Sequence, residues 1–253
     1  VYGIAPLVCD PTIAAIGAKA AKMMRHAKAQ ESRLEREIEK REALMHDVEY
    51  DERLKLHPEP YFRQNLLLSK DLSIFYGDRC VANGISLTLN RGDRIALVGR
   101  NGCGKSSLLK LLIGQPIAHT GTLEIGSRLT VSYVPQDMSF LSGSADDFAA
   151  ESEIDITLFK TILRKLDFKR TQFTKDMSEF SMGQKKKVLL ARSLCQRANL
   201  YIWDEPLNYI DVISRLQIET LILEYKPTML FVEHDEAFVN DIATKVCRIS
   251  LNQ

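Results

Sequence analysis

Ile95-Ala96-Leu97-Val98-Gly99-Arg100-Asn101-Gly102-Cys103-Gly104-Lys105-Ser106 decides how the rest of the chain is read. Four apolar residues in a row describe a short strand buried on both faces. The strand runs straight into a turn that fits the pattern GxxxxGK[ST] at every fixed position. Glycines there let the backbone curl so that its N–H groups point inward at phosphate oxygens. Lys105 has the reach for β- and γ-phosphates, and the Ser106 hydroxyl suits Mg2+. A helix expected from Lys105, carrying Leu108, Leu109, Leu111 and Leu112, aims its positive end at the same anion. The stretch therefore predicts a phosphate cradle from Gly99 through Ser107, with Mg2+ beside the phosphates.

Two further strands end in chemistry. Leu200-Tyr201-Ile202-Trp203 runs into Asp204 and Glu205. Asp204 can join the Mg2+ shell, and Glu205 can polarise an attacking water. Met229–Val232 runs into Glu233-His234-Asp235, which puts His234 at a strand's C-terminal edge, where such sheets bind ligands. Other strands are expected at Leu72–Phe75, Ile85–Leu89, Thr122–Ile125 and Leu129–Tyr133, and helices near 157–166, 183–196 and 212–224. The acidic stretch 146–155 reads as a surface loop or a helix start. Strands alternating with helices, with motifs at strand ends, predict an α/β domain with a mainly parallel core sheet.

The first part of the chain differs. Residues 12 to about 55 read as one long helix entered through Asp10-Pro11-Thr12. Ala27, Leu34, Ile38, Met45 and Val48 form a narrow apolar seam between dense charges, as in a two-helix coiled coil. Lys19, Lys22, Arg25 and Lys28 lie in a segment without acids. That segment is either a solvated helix end or a basic tip that meets phosphates. His57-Pro58-Glu59-Pro60 breaks the helix, and the domains are set at 1–64 and 65–253.

Bulk composition narrows the class. The formal charge is +1, so only a local patch could favour nucleic acid. The five cysteines are scattered and never spaced as CxxC, which favours a reducing, cytoplasmic setting over a disulfide framework or zinc site. No apolar run reaches the roughly 18–20 residues that span a bilayer. No secretion signal is expected, and a membrane-protein partner is disfavoured.

Ser178-Glu179-Phe180-Ser181-Met182-Gly183-Gln184-Lys185-Lys186-Lys187 resembles the LSGGQ signature of the ABC ATPase superfamily, written here as FSMGQ. The resemblance covers about residues 70 to 250. It implies the ABC architecture: a parallel core sheet with helices, an antiparallel β subdomain and a helical subdomain. It also implies further roles. Gln136, in Tyr133-Val134-Pro135-Gln136, is similar to the Q-loop glutamine near Mg2+ and water. Tyr76 is similar to the aromatic that stacks on adenine, with Phe75 as the alternative. Asp211, in Leu207-Asn208-Tyr209-Ile210-Asp211, is similar to the D-loop aspartate, and His234 to the switch histidine at the γ-phosphate. In that family the signature of one domain caps the ATP of another. Ser181, Met182, Gly183, Gln184 and Asp211 would then act in trans, and turnover needs a second ABC domain, whether a missing N-terminal half or a homodimer mate.

A long charged helix ahead of such a domain resembles the ABC-F proteins, which carry two ABC domains joined by a helical hairpin and act on the ribosome. Gly17–Arg25 resembles the start of the hairpin's second arm, and the linker helix is expected to meet ribosomal RNA. The spellings Asn208-Tyr209-Ile210-Asp211 and Glu233-His234-Asp235, with Trp203-Asp204-Glu205-Pro206-Leu207, resemble Lsa- and Vga-type antibiotic-resistance factors that protect the ribosome. The alternatives are a housekeeping ABC-F translation factor and the ATPase subunit of a membrane transporter.

Overall fold

The computed structural model describes residues 54–249. The long helix and basic segment expected ahead of them fall almost wholly outside the described residues. The compact unit begins at Leu54. Leu54, Leu56 and Tyr61 are buried, and His57–Pro58 pairs in parallel with Arg197–Ala198. Residues 54–64, set ahead of the domain by the prolines, are thus packed into it.

Two sheets interleave along the chain. The first contains β1 (Asn65–Tyr76), β2 (Arg79–Asn90) and β4 (Ala118–Ile125), antiparallel in the order β2-β1-β4. Between them come β3 (Arg94–Val98) and α1 (Lys105–Leu112). The core sheet takes β3 together with β5 (Val131–Val134), β6 (Leu200–Asp204), β7 (Met229–Val232) and β8 (Lys245–Arg248). Its order is β8-β3-β7-β6-β5, parallel throughout.

The apolar runs explain why this sheet is covered on both faces. Ile95, Leu97, Leu200, Ile202, Leu230 and Val232 pack with α1 and the antiparallel sheet. Their neighbours Ala96, Tyr201, Trp203, Met229 and Phe231 pack against the helices of the opposite face. Alternation along a strand splits each continuous run between two cores. Burying each large side chain contributes roughly 1.5–3 kcal/mol.

The helical layer comprises α2 (Ala145–Glu151), α3 (Ile156–Lys165), α4 (Met182–Cys195), α5 (Val212–Tyr225) and α6 (Glu236–Ile242). The acidic stretch resolves into a helix. Ser144 caps α2, its hydroxyl accepting from the Asp147 N–H at 3.0 Å, with Asp146 and Asp147 in the first turn. Acids there favour the positive helix end.

The short α6 and the edge strand β8 lie beyond the expected set, as do the two-residue strands His57–Pro58 and Arg197–Ala198 and the 3-10 turns Arg170–Gln172 and Met177–Glu179. The strand around Leu72–Phe75 is longer than expected and irregular. Its pairing shifts between Ser69 and Leu72, with Asp71 at φ 46. A bulge of this kind breaks the alternation that marks a strand in sequence.

Candidate nucleotide site

Four neighbouring core strands end on the same edge of the sheet, and each hands over one piece of the expected site. The loop Gly99–Gly104 follows β3, Gln136 lies just past β5, Glu205 follows β6, and Glu233 and His234 follow β7. Parallel strands place their C-terminal ends together, which is why residues so distant in sequence meet.

The loop is shaped by what glycine permits. Gly104 caps α1 at φ 87, and a Cβ there would sit 2.6 Å from the Ala82 Cβ and 2.8 Å from the Val81 carbonyl. Both strain and space exclude a larger residue. Gly99 is closed in by the Ile249 carbonyl and the Cys103 sulfur, and Cys103 is buried. Arg100, Asn101 and Gly102 form the exposed crest. Lys105 is only 6% exposed, and its ammonium donates to the carbonyls of Gly99 at 2.8 Å and Arg100 at 3.1 Å. The cation is therefore already held against the loop that is to receive an anion. Ser106 and Ser107 follow on the first turn of α1, half-buried.

Asp204 is 1% exposed, and neither carboxylate oxygen has a hydrogen-bond partner among the described residues. Burial pushes its carboxyl above the usual range. Ser106, Lys186 and Lys105 pull the other way and Glu205 adds to the rise. An orphaned buried carboxylate beside a serine hydroxyl fits a hard divalent cation, which takes oxygen ligands. On this observation the residues present suit Mg2+, with Asp204 and Ser106 as its holders.

Glu205 is the hub. It adopts φ 49, its N–H bonds to the Val232 carbonyl at 3.0 Å, and its side chain gathers three partners. Gln136 Nε2 donates to Oε2 at 2.8 Å and Asn208 Nδ2 to the same oxygen at 2.5 Å. His234 Nε2 lies 3.4 Å from Oε1. The structure thus brings Gln136, Glu205 and His234 together, with Asn208 beside them.

Lys186 is another addition. It is 1% exposed and donates to the carbonyls of Pro135 at 3.1 Å and Asp204 at 3.3 Å. Burial lowers its pKa against the opposing pull of Asp204, Glu205 and Glu233. The amine ties the residue before Gln136 to the residue before Glu205. Its sequence signal is helical spacing: with Leu189, Leu190, Ser193 and Leu194 it forms the buried face of α4.

The signature residues sit at the N-terminus of α4. Ser181 accepts from the Gln184 N–H at 3.3 Å, while Gln184 Oε1 accepts from the Ser181 N–H at 3.0 Å. This capping box employs the Gln184 side chain at home and leaves Ser181 and Met182 exposed. Gly183 lies against the Tyr209 carbonyl, which a Cβ would approach to 2.5 Å. Asp211 caps α5 through Ser214 and pairs with Lys187 at 2.6 Å. Burial would raise its pKa, but the bonds to Lys187 and Ser214 outweigh that and hold it below the usual range. Tyr76 stands half-exposed at the end of β1, paired with Arg79 of β2.

A glycine-rich strand–loop–helix, an orphaned strand-end aspartate and an adjoining glutamate define a P-loop nucleotide-binding ATPase domain. The family model described as ABC transporter matches residues 82–208, half of the chain. The chain belongs to that family and is an ABC ATP-binding domain. Members bind ATP, normally with Mg2+, and the family implies its hydrolysis. YdiF of Bacillus subtilis is 36% identical over 193 residues, covering 73% of this chain and 30% of that protein. The ribosome protection protein VmlR of Bacillus subtilis is 27% identical over 237 residues, covering 92% of this chain and 43% of VmlR. The chain therefore spans less than half the length of these relatives, and ABC-F proteins are among its matches. A solved ATP-binding subunit of an ABC transporter superposes with a TM-score of 0.61 at 23% identity, covering 74% of this chain and 88% of that one, which shows the shared fold. Among the described residues no helix is long and apolar enough to cross a membrane.

Proposed function

We propose that this chain is the ATP-hydrolysing part of an ABC-F protein that acts on the ribosome and protects it from antibiotics. In this reading residues 1–64 carry the returning arm of a helical hairpin, and the domain from 65 on supplies the ATPase. The observation that carries the chemistry is Glu205, whose carboxylate is held by Gln136, Asn208 and His234 beside the phosphate loop. Ribosome protection leans on the VmlR match, which is too long to be confined to the ATPase domain and must run through most of residues 1–53.

The work divides as follows. The amides of Gly99–Gly104 and the Lys105 ammonium bind the triphosphate, and Tyr76 stacks on the adenine. Ser106, Asp204 and Gln136 would hold Mg2+, which would supply charge neutralisation at the phosphates. Glu205 takes the proton of the attacking water, kept in orientation by the amides of Gln136 and Asn208. His234 faces the γ-phosphate. Ser181, Met182 and Gly183, with the D-loop at Asp211, cover the nucleotide of a second ABC domain.

Co-sedimentation tests the ribosomal role. The intact protein should pellet with 70S ribosomes in the presence of a slowly hydrolysed ATP analogue and stay in the supernatant with ADP. Failure to pellet in either state would refute the proposal. Raised drug tolerance in cells expressing the intact protein separates protection from a housekeeping role in translation.

A further inference from the structure

We infer that Glu233 is a positioning residue that sets Glu205 and His234 against each other through their backbones. The inference rests on the ATPase reading above. Although Glu233 precedes the histidine, its side chain is 5% exposed and its oxygens are employed inside the protein. Oε1 accepts from the Leu207 N–H at 2.9 Å, and Oε2 accepts from the His234 N–H at 3.1 Å. One carboxylate thus grips two segments, each carrying one half of the Glu205–His234 pair.

The grip closes a ring. Leu207 lies two residues beyond Glu205 in a tight turn, in which the Asn208 N–H reaches the Glu205 carbonyl at 3.4 Å. Glu205 holds φ 49 there, a backbone angle that a side-chain-bearing residue keeps only when its surroundings fix it. The ring runs from Glu205 through Leu207 to Glu233, on to His234, and back across the 3.4 Å gap between His234 Nε2 and Glu205 Oε1. Burial pushes the Glu233 carboxyl above the usual range, while the Leu207 and His234 N–H groups and Arg215 pull it back. A glutamine in its place would turn an NH2 toward one of the two N–H donors, so only one arm of the grip could survive.

The experiment joins hydrogen exchange to kinetics on the intact protein carrying Glu233→Gln. Amide exchange should accelerate at Leu207 or His234, while exchange across α1 is unchanged. The kcat for ATP should fall roughly 10- to 100-fold, as expected when reacting groups shift by about 1 Å. KM should barely move, because the loop that binds phosphate is untouched. Combined with His234→Ala, the two losses should multiply to less than their product, since both act on one pair. Glu233→Asp keeps the carboxyl on a shorter arm that cannot span both N–H groups, and gives the same readings if the glutamine variant does not fold. Unchanged exchange, accelerated exchange with an unaltered kcat, or fully multiplicative losses would each overturn the role. A parent protein that never hydrolyses ATP would overturn the ATPase reading and this role with it. Exchange at the two amides would then still decide whether the tie itself exists.

Discussion

Replacing Asp204 with asparagine should make the nucleotide-free protein more stable while disabling its response to Mg2+. The carboxylate is 1% exposed and both oxygens lack a partner among the described residues. Leaving a buried polar group unsatisfied costs about 1–3 kcal/mol, and more when it is charged. Asparagine removes the charge at nearly constant volume but stays a buried polar group, so only the added cost of the charge is recovered, a gain on the order of 1 kcal/mol at neutral pH. For a domain of this size that is roughly 2–4 °C in melting temperature per kcal/mol.

The sign with pH follows from burial, which lifts the folded-state pKa of Asp204 above its unfolded value. The penalty is absent below about pH 4, where both states are protonated. It grows as pH rises from there toward the raised folded value and is complete above it. Melting curves of parent and Asp204→Asn should therefore converge in acid and separate in favour of the variant at neutral pH. Adding Mg2+ with ATP should stabilise the parent by about 2.7 kcal/mol at a hundredfold excess over Kd and raise its melting temperature accordingly. The variant should lose the Mg2+-dependent share. A variant less stable than the parent at pH 7 without nucleotide, or one retaining the full Mg2+ response, would refute the reasoning.

Other perturbations test the frame around the site. Trp203→Phe removes a bond from indole Nε1 to the Ser193 hydroxyl at 2.9 Å in a fully buried position. It should cost about 1–3 kcal/mol by denaturant unfolding, with nucleotide affinity preserved; no loss would mean the Ser193 contact is idle. Gly183→Ala forces a Cβ against the Tyr209 carbonyl. That overpacking should lower stability by about 1–3 kcal/mol and depress turnover by displacing the 205–211 segment, and neutral thermodynamics with normal turnover would contradict the packing.

Much of this architecture is legible because buried parallel strands write themselves as short apolar runs. Met229–Val232 matches the expected strand residue for residue, and the strand before the phosphate loop starts only one residue ahead of the apolar run Ile95–Val98; their ends locate the loop and His234. The miss at β8 has a physical reason. Lys245-Val246-Cys247-Arg248 is an edge strand whose residues are exposed or half-buried, so no apolar run marks it. Lys186 hides between Lys185 and Lys187, and a run of three lysines reads as a solvated face until the helix is turned to show which one points inward. Glu233 is ambiguous for a related reason. Sequence places a carboxylate beside a histidine, but only backbone geometry reveals that it faces Leu207. Asn208 could have been found from its place three residues after Glu205, since a turn there brings its amide back to that carboxylate.

The most direct test of the whole account is Glu205→Gln in the intact protein, read by phosphate release alongside retention of bound ATP. The account predicts that the variant binds ATP and Mg2+ as the parent does, releases phosphate at least about a hundredfold more slowly, and accumulates with unhydrolysed ATP. Phosphate release at the parental rate would remove Glu205 from the chemistry and contradict the central claim.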